Sequence, residues 1–189
     1  MKKISVFASG DGTNAENICN YFTNNKNVSV VLLATNKKDS FVVKRIKKFN
    51  VPVFCFSKTE LNNTDVVWKK LLECSVDLIV LSGFLLKIPE NLVSLFPNKI
   101  INIHPSLLPK FGGRGMYGEN VYRSVIEAKE IQSGITIHYV NNNYDEGDII
   151  FQKKFSVLKN ETSESLSKKT RVLETRYFPV VIDKIINSL

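Results

Sequence analysis

A chain of 189 residues, 43% hydrophobic and 23% charged, is the size of about one soluble domain, and no apolar run approaches the roughly 20 residues of a membrane span. The formal charge of +8 attracts nucleic acid, anionic lipid and small anions alike, so charge alone names no partner. Cys19, Cys55 and Cys74 are widely spaced and include no C-x-x-C; they exclude a disulfide framework and a zinc site, and read as buried or neutral thiols.

The opening "MKKISVFASG" begins like a signal peptide, but its apolar run stops at Ser9-Gly10-Asp11, short of an h-region of about 7–15 residues. We read residues 3–8 as a first strand and expect a cytoplasmic protein. Further strands are predicted at 28–35, 51–56, 77–83 and 99–103, with helical spacing at 14–25, 40–49, 63–74 and 89–95. Strands alternating with helices imply parallel βαβ units, and near-continuous Val/Ile/Leu strands imply a sheet covered on both faces. The densest charge, Lys37, Lys38, Lys44, Arg45, Lys47 and Lys48, falls on one of these helices and reads as a solvated face. After residue 118 the pattern changes. A helix at 119–129 leads to a strand at 134–140, a turn at 141–148 and a second strand at 149–157, a hairpin-like pair. A long helix over about 163–187 follows, with Thr162 or Ser163 as N-cap and Glu164 in its first turn. There is no repeat, linker or low-complexity segment. The expectation is one α/β domain over 1–189. It has an open, mostly parallel, Rossmann-like sheet, helices on both faces, and a C-terminal antiparallel strand pair plus long helix.

The first chemical signal is "SGDGTNA" at 9–15, between a predicted strand and a predicted helix. Glycine lets backbone approach a ligand closely, and amides at a helix start point toward an anion. Gly10-x-Gly12-x-x-Ala15 satisfies the dinucleotide fingerprint literally, but strand two ends in Asn36 and two lysines where that reading wants an acid for a ribose. The G-K-[ST] of an ATP loop is also missing. A single phosphate on Gly12, Thr13 and Asn14 fits better; a tight turn without a ligand is the other reading.

The second signal is "NIHPSLLP" at 102–109, which holds one of only two histidines. Residues 102 and 104 alternate along a strand end, so both side chains point the same way. A carboxamide donor beside an imidazole can stabilise an oxyanion and move a proton, and Pro105 and Pro109 stiffen the loop behind them. A histidine bonded only to backbone is the plainer alternative. His138 in "ITIHYV" and Asp145 in the turn after it raise the case for chemistry, since an aspartate can orient or charge an imidazole. Ser106 lacks a G-x-S-x-G elbow, and no His/Cys/carboxylate spacing suits a metal. From the residues alone, this is an amide–imidazole–carboxylate site for acyl or one-carbon chemistry without a metal.

Together "SGDGTN" (9–14), "NIHPSLLP" (102–109) and "YDEGDII" (144–150) resemble the phosphoribosylglycinamide formyltransferases, the glycinamide ribonucleotide branch of the formyltransferase superfamily, over essentially the whole chain. The resemblance implies formyl transfer from 10-formyltetrahydrofolate, a co-substrate, to the amine of glycinamide ribonucleotide in purine biosynthesis. No metal, nucleic acid or membrane takes part, and no oligomeric state is implied. It further implies that Asn102 and His104 stabilise the oxyanion, that Asp145 assists proton transfer and keeps His104 charged, and that His138 supports Asp145 and Asn102. Gly12, Thr13 and Asn14 would hold the phosphate, with Arg171 and Glu174 near phosphate and ribose. Phe84, Leu85, Leu86 and Ile88, with Asn141 to Asp145, would receive the folate. In this picture residues 1–100 or so bind phosphate or nucleotide, and 101–189 are catalytic and bind folate.

One segment departs from the family pattern. Many members carry Pro-Gly and then a histidine-containing loop after the equivalent of Lys110-Phe111; here the chain reads "GGRGMYG". Its glycines suggest a mobile lid, and Arg114 could reach the substrate phosphate or a product. The Arg-Gly pair is also similar to methionyl-tRNA formyltransferases, which carry a further RNA-binding domain. Other readings are a 10-formyltetrahydrofolate hydrolase, whose family usually carries a regulatory domain ahead of strand one, another amine formyltransferase, or a non-catalytic binder.

Overall fold

The computed structural model describes all 189 residues, Met1–Leu189. Seven strands form one sheet: β1 (Lys2–Phe7), β2 (Val28–Thr35), β3 (Val53–Cys55), β4 (Leu78–Leu81), β5 (Ile100–His104), β6 (Gln132–Tyr139) and β7 (Ile149–Ser156). Their order is β3-β2-β1-β4-β5-β6-β7; the first five run parallel, and β6 and β7 continue the sheet antiparallel. The predicted Rossmann-like sheet with its C-terminal antiparallel pair is what forms.

The strands' apolar side chains point to both faces, and each face is covered. On one, α1 (Thr13–Phe22), α2 (Phe41–Ile46) and α7 (Ser163–Ser188) bury Ile18, Val42, Phe178 and Ile182 against Ile4, Val6, Ile101 and Ile137. On the other, α3 (Lys58–Asn63), α4 (Val66–Glu73) and α5 (Glu90–Leu95) bury Leu61, Leu71 and Leu92 against Phe7, Leu32 and Ile79. The remaining helix, α6 (Glu119–Glu127), packs on α7 through Tyr122, Val125 and Leu166. The sheet's second face has no helix over β5 and β6 near Asn102 and His138; loops cover it there, and the polar side chains gather beneath them.

Several boundaries differ from expectation. The helix predicted at 63–74 is two helices, because Ser57 and Glu60 form a capping box that starts α3 earlier and the chain is extended at Thr64. The helix predicted at 40–49 is α-helical only to Ile46 and ends in a 3-10 turn at Lys47–Phe49, closed by Asn50 with φ 55°. Arg45 and Lys48 of the basic segment are not simply solvated, since both pair with Glu16 on α1. Cys19 is buried, which pushes its thiol up to about 12, whereas Cys55 is exposed. Thr162 is the N-cap of α7, its hydroxyl accepting from the Ser165 N–H.

Pro179 lies inside α7 and cannot donate to the carbonyl four residues back. That carbonyl, of Thr175, instead accepts Asn17 Nδ2 at 2.8 Å, so α1 supplies the missing donor. At the sheet's carboxyl end Ser9 joins three loops: its hydroxyl donates to Asn36 Oδ1 at 2.7 Å and accepts Leu85 N–H at 3.0 Å, and its own N–H reaches Gly83 O. This pin sits beside the point where chain order reverses between β1 and β4, the position at which open α/β sheets bind ligands.

Gly12 has a packing role the sequence does not reveal. Its φ is 75°, and an added Cβ would lie 2.6 Å from the Val42 Cα on α2. Gly10 has nothing within 4 Å of such an atom. Gly12→Ala therefore combines strain with a backbone clash and should lower stability by about 1–3 kcal/mol. The check is the urea midpoint of unfolding; an unchanged midpoint would mean that α2 moves away freely.

Candidate active site

A cavity of about 660 Å³ opens at the carboxyl end of the sheet. Its walls come from the loops after β1 and β4, the end of β5, the 113–118 loop, the turn at Tyr144-Asp145, and α6 and α7. Both halves of the chain thus contribute to one space.

Asn102 pairs directly with His138 across the β5–β6 ladder, and His104 with Thr136. The even-numbered residues of both strands face the loops while Ile101, Ile103 and Ile137 face α1 and α7, so period-two alternation brings Asn102, His104 and His138 to one surface. Asp145, with φ 57°, turns its carboxylate back into this group. Oδ2 accepts the Gly113 N–H at 2.8 Å and lies 3.5 Å from His104 Nδ1; Oδ1 lies 3.4 Å from Asn102 Nδ2 and 3.6 Å from His138 Nε2.

Hydrogen bonds define the imidazole tautomers. His104 Nε2 is 2.7 Å from the Phe111 carbonyl, which can only accept, so Nε2 carries a proton and Nδ1 is the nitrogen turned to Asp145. His138 Nδ1 likewise donates to the Tyr139 carbonyl at 2.8 Å, leaving Nε2 to accept from Asn102 Nδ2 at 3.1 Å. The Asn102 amide therefore has one short bond and one long one, and the long one is free to be exchanged for another acceptor.

His104 is buried, and this burial holds its ring below the ordinary imidazole value of 6.5, against the charge of Asp145 and the Phe111 bond. Burial thus works against the expected role of Asp145 in keeping His104 charged, since desolvation outweighs the carboxylate. Burial also pushes the Asp145 carboxyl up, but the His138 ring, the His104 charge and the Gly113 N–H together hold it below the usual carboxylate range. Ser106 is buried, and its hydroxyl donates to the Lys110 carbonyl, so it is not poised as a nucleophile. No group of three or more His, Cys, Asp or Glu side chains is placed to hold a metal.

Gly12, Thr13 and Asn14 line the cavity, at the start of α1, where no side chain caps the helix. Asn14 Nδ2 donates to Glu174 Oε2 at 2.8 Å, which brings Glu174 of α7 to the wall as well. Burial pushes the Glu174 carboxyl up, against the Asn14 bond and the Arg171 charge. Arg171 itself is exposed and does not border the cavity. Phe84 and Leu85 line it; Leu86, Ile88 and Asn141 instead border an adjoining recess of about 70 Å³, together with Phe84, His138 and Asp145. Ile88 is a core residue, 3% exposed. Tyr144 borders both spaces, with Lys87 Nζ 5.8 Å from its ring centre.

Sequence reasoning missed the Phe111 carbonyl, the Gly113 N–H and Tyr122. The first two are backbone groups with no side-chain signature.

Because the folded His104 ring binds its proton at lower pH than the unfolded chain does, the unfolded state takes up that proton first as pH falls through 6.5. This draws the equilibrium toward unfolding, and the Asp145 contribution is lost separately, below 3.8. Urea midpoints at about pH 7.5 and 5.5 should fall in the wild type and fall less in His104→Gln. Equal slopes would rule out this source of acid sensitivity.

The chain is similar to known proteins over nearly its whole length. Residues 2–182 match the family model described as Formyl transferase. The chain is 39% identical over 97% of its length to the chloroplastic phosphoribosylglycinamide formyltransferase of Arabidopsis thaliana, of which it spans 65%. It is 35% identical to the phosphoribosylglycinamide formyltransferase of Bacillus subtilis, covering 98% of this chain and 95% of that one. The crystal structure of the enzyme of that name from Anaplasma phagocytophilum superposes with a TM-score of 0.90 at 30% identity, over 99% of this chain and 88% of the other. That from Bacillus halodurans gives 0.87 at 33% identity, over 97% and 95%. With the family model matched almost end to end, the chain belongs to the formyl transferase family.

Proposed function

We infer that this chain transfers the formyl group of 10-formyltetrahydrofolate to the amine of glycinamide ribonucleotide, a one-carbon step of purine biosynthesis. One observation carries this reading: Asn102 and His104 place polar atoms 3.4 Å and 3.5 Å from the Asp145 carboxylate on the wall of a cavity that also holds the uncapped start of α1. The phosphate rests on Gly12, Thr13 and Asn14, where helix amides favour an anion. Glu174 accepts from the ribose hydroxyls; Arg171 acts, if at all, through the field it adds near Glu174. The pterin enters from the Phe84–Leu85 side, and the small recess lined by Leu86, Ile88 and Asn141 joins the main cavity when Tyr144 turns aside.

The amine attacks the formyl carbon, a C–N bond forms and the carbonyl π pair moves to oxygen. Asn102 Nδ2 exchanges its long bond to Asp145 for this oxyanion. The new negative charge offsets the desolvation that disfavours a charged ring, so His104 takes a proton from solvent on Nδ1, gives a hydrogen bond to the same oxygen without transferring that proton, and returns it to solvent on collapse. Asp145, ionised and acceptor-only, receives a proton from the attacking nitrogen through water. On collapse the bond to the folate nitrogen breaks, and that nitrogen gains a proton. One proton is lost and one gained, so Asp145 serves as a carrier. His138 holds the Asn102 amide in plane.

We assign the protein to the cytoplasm. Residues 2–7 form β1, paired on both sides within the sheet, and so belong to the folded domain.

The test follows folate absorbance with purified protein and 10-formyltetrahydrofolate, with and without glycinamide ribonucleotide. Turnover only with the ribonucleotide is expected. Turnover without it would identify a hydrolase, and none in either case would leave a binder or another acceptor. Asn102→Ala should lower kcat by about 10²–10³-fold, the usual cost of one oxyanion donor, with little change in substrate binding. A near-wild-type rate would remove Asn102 from the mechanism.

A further inference from the structure

Of the 23 residues around the main cavity, Asp11, Asp145 and Glu174 are acidic and Arg114 is the sole lysine or arginine. A dianionic phosphate at the start of α1 would therefore meet helix amides, two neighbouring carboxyl groups and this one full positive charge. Arg114 takes part in none of the chain's ion pairs, whereas seven lysines and arginines elsewhere are paired. It is exposed, and lies between Gly113 (φ 97°) and Gly115 (φ 88°), where a Cβ would meet nothing within 4 Å. The backbone on either side can thus reorient without displacing packed atoms.

We propose that Arg114 is the cationic ligand of the substrate phosphate, and that its engagement sets the position of the Gly113 N–H on Asp145. The proposal rests on the functional reading above and adds a residue to it. Guanidinium meets phosphate as a planar, bidentate donor, a geometry that lysine lacks. The next residue back in the chain, Gly113, gives its N–H to Asp145 Oδ2 at 2.8 Å. Drawing Arg114 onto the phosphate therefore tightens the loop that holds the proton carrier, so the phosphate contributes to the chemical step as well as to binding. Gly112 makes the link stiff on its other side: a Cβ there would lie 3.1 Å from Asp145 Cβ.

The experiment compares kcat/KM for glycinamide ribonucleotide with that for its dephosphorylated ribonucleoside in wild type, Arg114→Ala and Arg114→Lys. Arg114→Ala should shrink the preference for the phosphorylated acceptor by about 10–100-fold, the scale of a charge-assisted hydrogen bond, and should lower kcat on the ribonucleotide as well as raise its KM. Arg114→Lys should recover part of the loss. An unchanged preference in Arg114→Ala would overturn the phosphate role; a raised KM with unchanged kcat would overturn the link to Asp145. Ribose 5-phosphate supplies an independent readout, because it should raise the Tm of wild type more than that of Arg114→Ala. If the wild type transfers no formyl group, the functional reading fails while this shift still tests Arg114; equal shifts in the two proteins would remove it as a phosphate ligand.

Discussion

The site depends on keeping one carboxylate ionised in a largely dry place. Asp145 has a side chain only 12% exposed, where an isolated negative charge would be costly. It is tolerated because the Gly113 N–H and the Asn102 amide donate to it, with the two imidazoles packed beside it, from three different parts of the chain. That convergence is reciprocal: the same contacts that stabilise the charge orient Asn102 and the ring of His104. Each member is positioned by the others, so altering one displaces the rest.

The fold supplies this convergence by its reversal of strand direction. Five parallel strands place loop after loop at one end of the sheet, with Ser9 tying three of them together. The antiparallel β6, reached through residues 105–131 and α6, then lays His138 directly beside Asn102. The 140–148 segment returns over the uncovered face rather than leading away from it. Binding surface and reacting groups thus meet at the reversal of chain order between β1 and β4 and at the change of strand direction after β5.

Electrostatics divides the cavity. Near the start of α1 the wall offers backbone amides and Arg114. At the other end, burial holds the His104 ring below the ordinary imidazole value. Glu174, whose carboxyl is pushed up by burial, borders the cavity and accepts from Asn14. The surface charge of +8 has less to do with this than the sequence suggests, since the dense basic segment is partly occupied in pairing with Glu16.

The sequence by itself determined the sheet class and the side-chain chemistry. Strands are legible where Val/Ile/Leu runs are long, as in β2, and period two places Asn102 and His104 on one side of β5 without any knowledge of packing. The Ser57–Glu60 capping box is a short-range S-x-x-E signature lying ahead of the helical spacing at 63–74. Tertiary structure alone decided what depends on orientation or on backbone. Arg171 and Glu174 are three apart and so differ by about 60° around α7; helical spacing groups them, but only packing against α1 turns Glu174 inward and leaves Arg171 in solvent. Gly12 looks like a ligand glycine, yet Val42 of another helix is what forbids its side chain. The Phe111 carbonyl and the Gly113 N–H are present in every residue of every chain, so nothing in their identity marks them. They act because the loop brings them to His104 and Asp145, and that is a property of three-dimensional placement.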